Sequence, residues 1–290
     1  MRITERRMLV QAARQVAKSR ERVADAAGPM SSGIEVDRPS DDPARWAAGR
    51  RARVRLQVGD LREKAISGSN ARLSESDRVF GTVGNVMSRA RELAVLAANG
   101  SQNAQSRAAT AGEVKALMGE ALMAANSRGL DGEFLLAGTR GDNPPFDDTG
   151  VYQGDANART IEAAEGNRLV VTVTGSLFTA ASGVDLFDEM SKFHDALLAD
   201  DLTGIQNAIG VLEEGVHQVS LGRAQIGGLQ SSLDAAEIAR VDFELVLSEV
   251  HQRAVEIDPI EAASELALSS QALQAAQALT ERIAQVVQAV

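Results

Sequence analysis

Apolar residues recur at helical spacing over most of the chain, and the exceptions divide it. Ile3, Leu9, Val10, Ala13, Val16, Ala17, Val23 and Ala24 lie on one face of a helix over 3–27. Gly28-Pro29 is the expected stop. Residues 31–43 then read as a loop, with Ser31-Ser32-Gly33 and Pro39-Ser40-Asp41-Asp42-Pro43. Either Asp41 or Asp42 can cap a following helix, with Pro43 at its first position. That helix is expected from about 43 to 100. Leu73, Phe80, Met87 and Ala94 repeat every seven residues, and Val83, Ala90 and Ala97 form a companion row. Asn99-Gly100 ends it. Val114, Leu117, Met118, Ala121 and Leu122 predict another helix over about 104–127.

The pattern changes over 128–183, which is rich in Gly, Asn, Asp and Pro. Short β-like runs occur at Phe134–Leu136, Thr160–Ala163 and Leu169–Thr174, so a small β-rich insertion is expected. Helical spacing returns after Asp185. Ile205, Leu212, Val219, Ile226, Leu233, Leu247 and Ala254 form a long heptad row, with Arg240 in the same register. Its partner row slips by one residue at Gly227-Gly228, which predicts a break or adjustment there. Asp258-Pro259 opens a last helix over 259–290. It carries Ile260, Ala263, Leu266, Leu273, Leu279, Ile283, Val286 and Val290.

The expected fold is therefore mainly α with a small β-rich inserted domain, a long antiparallel bundle built from the N- and C-terminal halves. The terminal helices set a problem. An amphipathic helix must bury its stripe. At a rise of 1.5 Å per residue the last helix would extend about 48 Å, more than a 25-residue partner covers. The ends are expected to complete their burial in an assembly, through Ile3, Leu9, Val16 and Val23 on one helix and Ile260, Leu266, Leu273, Leu279, Ile283 and Val286 on the other.

Composition narrows the function. Only 3% of residues are aromatic, so Ala, Val, Leu and Ile must build most of the core. There is no cysteine, which excludes disulfides, thiol catalysis and Cys-bound zinc. Phosphate-loop, zinc-protease and nucleophile-elbow motifs are absent, and His194, His217 and His251 are scattered. Asp147, Asp148 and Asp155 read as turn formers rather than calcium ligands. Asn99-Gly100-Ser101 fits a glycosylation acceptor pattern and equally a helix-ending turn. No catalysis, cofactor or metal is expected. Met1–Arg7 is basic without a following apolar stretch, so no signal peptide is expected, and no run is long enough for membrane insertion.

Charge is uneven. The first 128 residues hold 22 Lys and Arg against 14 Asp and Glu, a net +8, while the remainder is −18. Such asymmetry can mark nucleic-acid binding or the packing of one half against the other. Arg45, Arg50, Arg51, Arg53 and Arg55 spread around their helix, and the chain is acidic overall, so no nucleic-acid partner is expected. These arginines can instead pair with the acidic second half or with a neighbouring subunit.

Ser31-Ser32-Gly33 leading to Ser40-Asp41-Asp42-Pro43 resembles the signature loop of the flagellin superfamily. The Pro-Ser-Asp-Asp-Pro form is closer to the hook-filament junction proteins (hook-associated protein 3). Phe134–Thr139 with Pro144-Pro145-Phe146, Tyr152-Gln153-Gly154-Asp155, the run at 171–175 and Ile257–Leu266 continue that resemblance in order. The ending Gln285–Val290 departs from it. The resemblance implies a structural subunit joining hook and filament, a mechanical adaptor and assembly platform, in a ring or tubular homo-oligomer. It implies three domains: a terminal inner domain of 1–30 with 256–290, a helical bundle of 31–130 with 184–255, and an outer β-rich domain of 131–183. It implies hook-associated protein 1, flagellin, an export chaperone and the type III export apparatus as partners, and an extracellular site on the bacterial flagellum. Two alternatives are a short flagellin forming the filament itself, and a surface adhesion module using the β insertion.

Overall fold

The computed structural model describes residues 2–288, and the side chains of 7, 8 and 10–285. The chain is mainly helical. In order it forms α1 (Arg2–Ser32), α2 (Pro43–Ala97), α3 (Ala104–Ala125), β1 (Thr160–Ala164), β2 (Asn167–Val170), α4 (Leu186–Leu198), α5 (Leu202–Val255) and α6 (Pro259–Gln288). It divides into two compact units. One holds both chain ends, up to Val58 and from Phe243, and the other is Gly59–Asp242.

In the unit of Gly59–Asp242, α2 and α5 run antiparallel. Asn70 donates to Asp234 at 3.2 Å and Arg223 forks onto the Asp77 carboxylate at 2.8 and 2.9 Å. The heptad rows meet in between: Leu73, Phe80, Met87, Ala90 and Ala94 face the core, as do Ile205, Leu212, Val219, Ile226 and Leu233. Glycine permits the approach at Gly222, where a Cβ would overlap the Phe80 ring. Asp185 caps α4 by accepting from the Asp188 N–H at 3.2 Å.

Three expectations are corrected. The helix expected to stop at Gly28-Pro29 continues over Pro29 to Ser32. It ends at Gly33, which takes φ +72° and donates its N–H to the Pro29 carbonyl at 2.8 Å. Proline removes one helical donor, but only a left-handed residue turns the chain away. Gly227-Gly228 does not break α5, which is continuous from 202 to 255. The β content is one hairpin with a bulge between Glu162 and Ala164. Phe134–Leu136 forms no strand, only an isolated bridge from Phe134 to Arg128. Val171–Thr174 is buried and extended but outside the ladder. There the Thr172 hydroxyl accepts from the Arg159 N–H at 2.8 Å, in place of a neighbouring strand.

The few aromatics are concentrated where the helices meet the insertion. Phe80 and Phe178 have centroids 4.6 Å apart, and Phe146 lies 5.0 Å from Phe187, 5.2 Å from Tyr152 and 6.3 Å from Phe178. Asn126, which caps α3, accepts from the Phe146 N–H and donates to its carbonyl, both at 2.9 Å. The Tyr152 hydroxyl sits between the carbonyls of Asp155 (2.8 Å) and Leu136 (3.0 Å), and burial pushes its pKa up to about 12. Gln218 of α5 accepts from the Val184 N–H at 2.8 Å and donates to the Leu177 carbonyl at 2.8 Å, which ties the segment before α4 to the helices.

Asp155 closes the insertion onto itself. Its carboxylate accepts from the Thr139 hydroxyl, from the Thr139 N–H at 2.9 Å and from the Asn157 N–H at 3.1 Å. Those bonds, the Thr139 hydroxyl first, hold its pKa at about 2. A carboxyl held below its ordinary value stabilises the fold above that value and loses its contribution as pH falls through the folded pKa. Asp155→Asn should therefore melt well below wild type at pH 5, and the gap should narrow between about pH 4 and pH 2. Calorimetry at pH 5 and pH 2.5 checks this; a gap that widens in acid contradicts it.

Candidate functional site: the terminal helices and their connectors

In the unit that holds both chain ends, α1 packs against α6. Residues 22–29 of α1 share a cavity with 257–272, so the two helices run antiparallel. The packed positions follow a heptad. On α1 they are Ala12 and Ser19, buried, with Val16 and Val23 half-buried. On α6 they are Ala262, Leu266, Ser269, Leu273, Ala276, Thr280 and Ile283, spaced alternately by four and three. Ser269 and Thr280 return their hydroxyls to their own helix, at Leu266 (3.0 Å) and Ala276 (2.7 Å). The seam is thus narrow, built of small residues with only a few large ones.

Val16, Val23, Leu266, Leu273 and Ile283 are brought together by this seam. Ile260 and Leu279 are not: they stand 83% and 58% exposed, and Leu268 is 66% exposed. On a helix these three lie away from the row 262–266–269–273. Ile3, Leu9 and Val286 fall outside the residues whose side chains are described. Periodicity missed Ala12, Ser19 and Ala262, since small residues at seam positions give a weak hydrophobic signal.

The signature loop connects α1 to α2. Ser31 and Ser32 are the last residues of α1, and the Ser32 hydroxyl accepts from the Ile34 N–H at 3.3 Å. The Asp41 carboxylate accepts from the Arg38 N–H (2.9 Å) and the Asp37 N–H (3.2 Å), and the Arg38 bond above all lowers its pKa. Ser40 donates to the same carboxylate at 3.4 Å. Asp42 is the cap of α2, accepting from the N–H groups of Ala44 (2.9 Å) and Arg45 (3.0 Å), with Pro43 first in the helix. Asp258 and Pro259 repeat the device at α6, where Asp258 accepts from Ile260 at 2.8 Å and Glu261 at 3.3 Å.

The two connectors are clipped together. The N–H groups of Glu35 and Val36 donate to the Val255 carbonyl at 2.8 and 3.3 Å, and that of Ile257 donates to Gly33 at 3.2 Å. Arg45 pairs with Glu35 at 2.7 Å. Nothing in the spacing of residues 33–36 and 255–257 announces this contact. Asp42→Ala should cost about 1 kcal/mol through the lost cap, against a few tenths for Asp42→Gly. Urea titrations of both variants test the order, and equal losses would argue against a capping role.

The family model described as bacterial flagellin N-terminal helical region matches residues 3–140. Over that stretch, just under half of the chain, it is similar to the flagellin superfamily. Its members are structural proteins of the flagellum, and the match takes in the signature loop and the Asp42 cap. The flagellar filament 33 kDa core protein of Treponema phagedenis is 26% identical to this chain over 215 residues, 71% of this chain and 68% of that one. Flagellar hook-associated protein 3 of Escherichia coli is 24% identical over 273 residues, 85% of each chain. The solved hook-associated protein 3 of Legionella pneumophila shares the fold, with a TM-score of 0.63 over 70% of this chain and 98% of that one at 13% identity.

Among the described residues no three His, Asp or Glu side chains gather as metal ligands, and no helix is long and apolar enough to cross a membrane. Asp147 accepts from the N–H groups of Thr149 (2.9 Å) and Val151 (3.0 Å), as a turn former does. His194 lies 3.0 Å from Asp195, His251 lies 3.2 Å from the Gly49 carbonyl, and His217 is exposed.

Proposed function

We propose that this chain is the subunit that joins hook to filament in the bacterial flagellum. The observation that carries the reading is the alignment with hook-associated protein 3 of E. coli, which takes in 85% of both chains, whereas the filament relatives align over about seven-tenths. The Pro-Ser-Asp-Asp-Pro form of the signature loop supports it. So do the uncovered residues Ile260, Leu268 and Leu279 on α6, which leave apolar surface for neighbouring subunits. In this reading residues 1–30 with 256–290 form the inner part of a tubular homo-oligomer, 31–130 with 184–255 the surrounding bundle, and 131–183 the outer part. Hook-associated protein 1 and flagellin are the neighbours along the axis, and an export chaperone covers the terminal stripes before assembly outside the cell.

A second reading, a short filament-forming flagellin, is favoured by the filament core proteins among the relatives. Deletion of the gene separates the two. Cells with hooks, no filaments and flagellin shed into the medium fit the junction role. Hooks bearing normal filaments exclude it, and shortened filaments without shed flagellin fit a filament subunit.

A further inference from the structure

Four of the five arginines at the start of α2 form no ion pair among the described residues, unlike Arg62, Arg72, Arg89 and Arg91 further along. Over 43–58 there are five arginines and no acidic residue. Arg45 is engaged by Glu35. Arg50, Arg51, Arg53 and Arg55 are all exposed, and none of the four forms an ion pair among the described residues. They are not arranged as a simple solvated face. Val54 and Val58, one turn apart, are exposed between them, with Arg51 and Arg55 on one side and Arg50 and Arg53 on the other. A solvent-facing helix gains nothing from exposed valines, which also have lower helix propensity than alanine. An apolar stripe flanked on both sides by unpaired positive charge has the form of a protein interface.

The same unit displays the complementary surface. Over 243–265 there are six acidic residues against one arginine. The end of α5 exposes Leu245, Val246 and Val250 beside Glu249, whose bond is a solvent-exposed i,i+4 pair with Arg253. Such a pair contributes little and is easily exchanged.

We infer that the Val54–Val58 stripe of one subunit docks on the Leu245–Val250 face of α5 in a second copy of this chain, with Arg51 and Arg55 meeting Glu249. The two surfaces differ, so each copy uses both, and the contact is head-to-tail. Head-to-tail contacts close into rings or continue as helices, and do not stop at a dimer. The inference rests on the proposed role as an assembling flagellar subunit and names the surfaces that meet.

The test uses a strain lacking the gene. Wild-type chain is supplied first. If it fails to restore filaments, the assembly reading itself falls, independently of the interface. Next come Arg51→Glu with Arg55→Glu, which makes both faces acidic, and Glu249→Arg, which makes the second face basic. Each variant alone should reduce the number of filaments per cell at least tenfold. Combined in one chain they should restore it to at least half of the wild-type number, because an acidic stripe then meets a basic face at every contact. A chain that had merely failed to fold or to be exported would not be rescued by adding the second defect. Normal filaments with either single variant, or failure of the pair to rescue, overturns the interface. The absence of cysteine allows a second measurement. Val54→Cys with Val250→Cys should give a ladder of disulfide-linked multimers from oxidised flagella, and each cysteine alone should give none. Unlinked or internally linked monomers only, or no species beyond the dimer, would equally overturn it.

Discussion

Phe146→Ala should lower the melting temperature by roughly 6–20 °C. Phe146 is fully buried at the centre of the aromatic group, against Phe178, Phe187 and Tyr152. Truncating a buried phenylalanine costs about 3–5 kcal/mol, because the cavity left behind collapses only in part. In a domain of 150–250 residues each kcal/mol moves the transition by about 2–4 °C. The damage should be local first. Phe146 is the ring through which the insertion is seated, and the backbone fork from Asn126 fixes its position without filling the void. Limited proteolysis should therefore cut within 128–183 before the helices are attacked, while Phe146→Leu should cut much more slowly. Melting within 2 °C of wild type would mean that the seat is held by the backbone bonds instead.

Arg107→Met should cost about 1.5–3 kcal/mol although it retains the apolar stem. Arg107 is buried, a rare condition for arginine, and is satisfied on two sides. Its Nε donates to the Ala97 carbonyl at 3.0 Å, one of the orphan acceptors at the end of α2, and a terminal nitrogen pairs with the Asp200 carboxylate. Asp200 holds a left-handed backbone, φ +55°, in the turn between α4 and α5. One side chain thus secures the end of α2 and that turn together. Hydrogen bonds to charged groups contribute about 1.5–3 kcal/mol, and methionine replaces neither. A cycle with Asp200→Asn, read by urea denaturation, separates the parts. The double variant should be more stable than the sum of the two losses implies. Simple additivity would assign the whole cost to the Ala97 bond.

The fold was legible wherever side chains alone decide the pairing. Leu73, Phe80 and Met87 announce their seam because a seven-residue repeat of large apolar groups has one inexpensive solution. Asp258-Pro259 announces a helix start because the cap and the fixed proline φ act within three residues. Legibility fails where the deciding interaction is remote or involves the backbone. Pro29 looked terminal, but the helix ends where Gly33 can turn left-handed. Gly227-Gly228 looked like a break, but α5 lies along α2 across the preceding turns, and that packing outweighs the low helix propensity of glycine. The Val171–Thr174 run looked like a strand, yet its partner is the Arg159 backbone, and Gly175 just after it donates to the Leu136 carbonyl, both reached through loops with no period. At the terminal helices the large apolar residues were visible, but their division into a packed seam and an uncovered face follows from the positions of Ala12, Ser19 and Ala262, which hydrophobicity does not mark.

The clip between the two connectors has a bearing on load. Both chain ends leave their long helices within a few residues of the Val255 carbonyl and the Gly33 carbonyl, and each connector is stitched to the other by main-chain bonds. Tension drawn through α1 is therefore shared with the segment leading to α6, and the reverse. Neither connector can straighten alone, since straightening shears the bonds that hold it to its neighbour. A tug on one terminus is therefore resisted by the neighbouring connector as well, until these main-chain bonds shear.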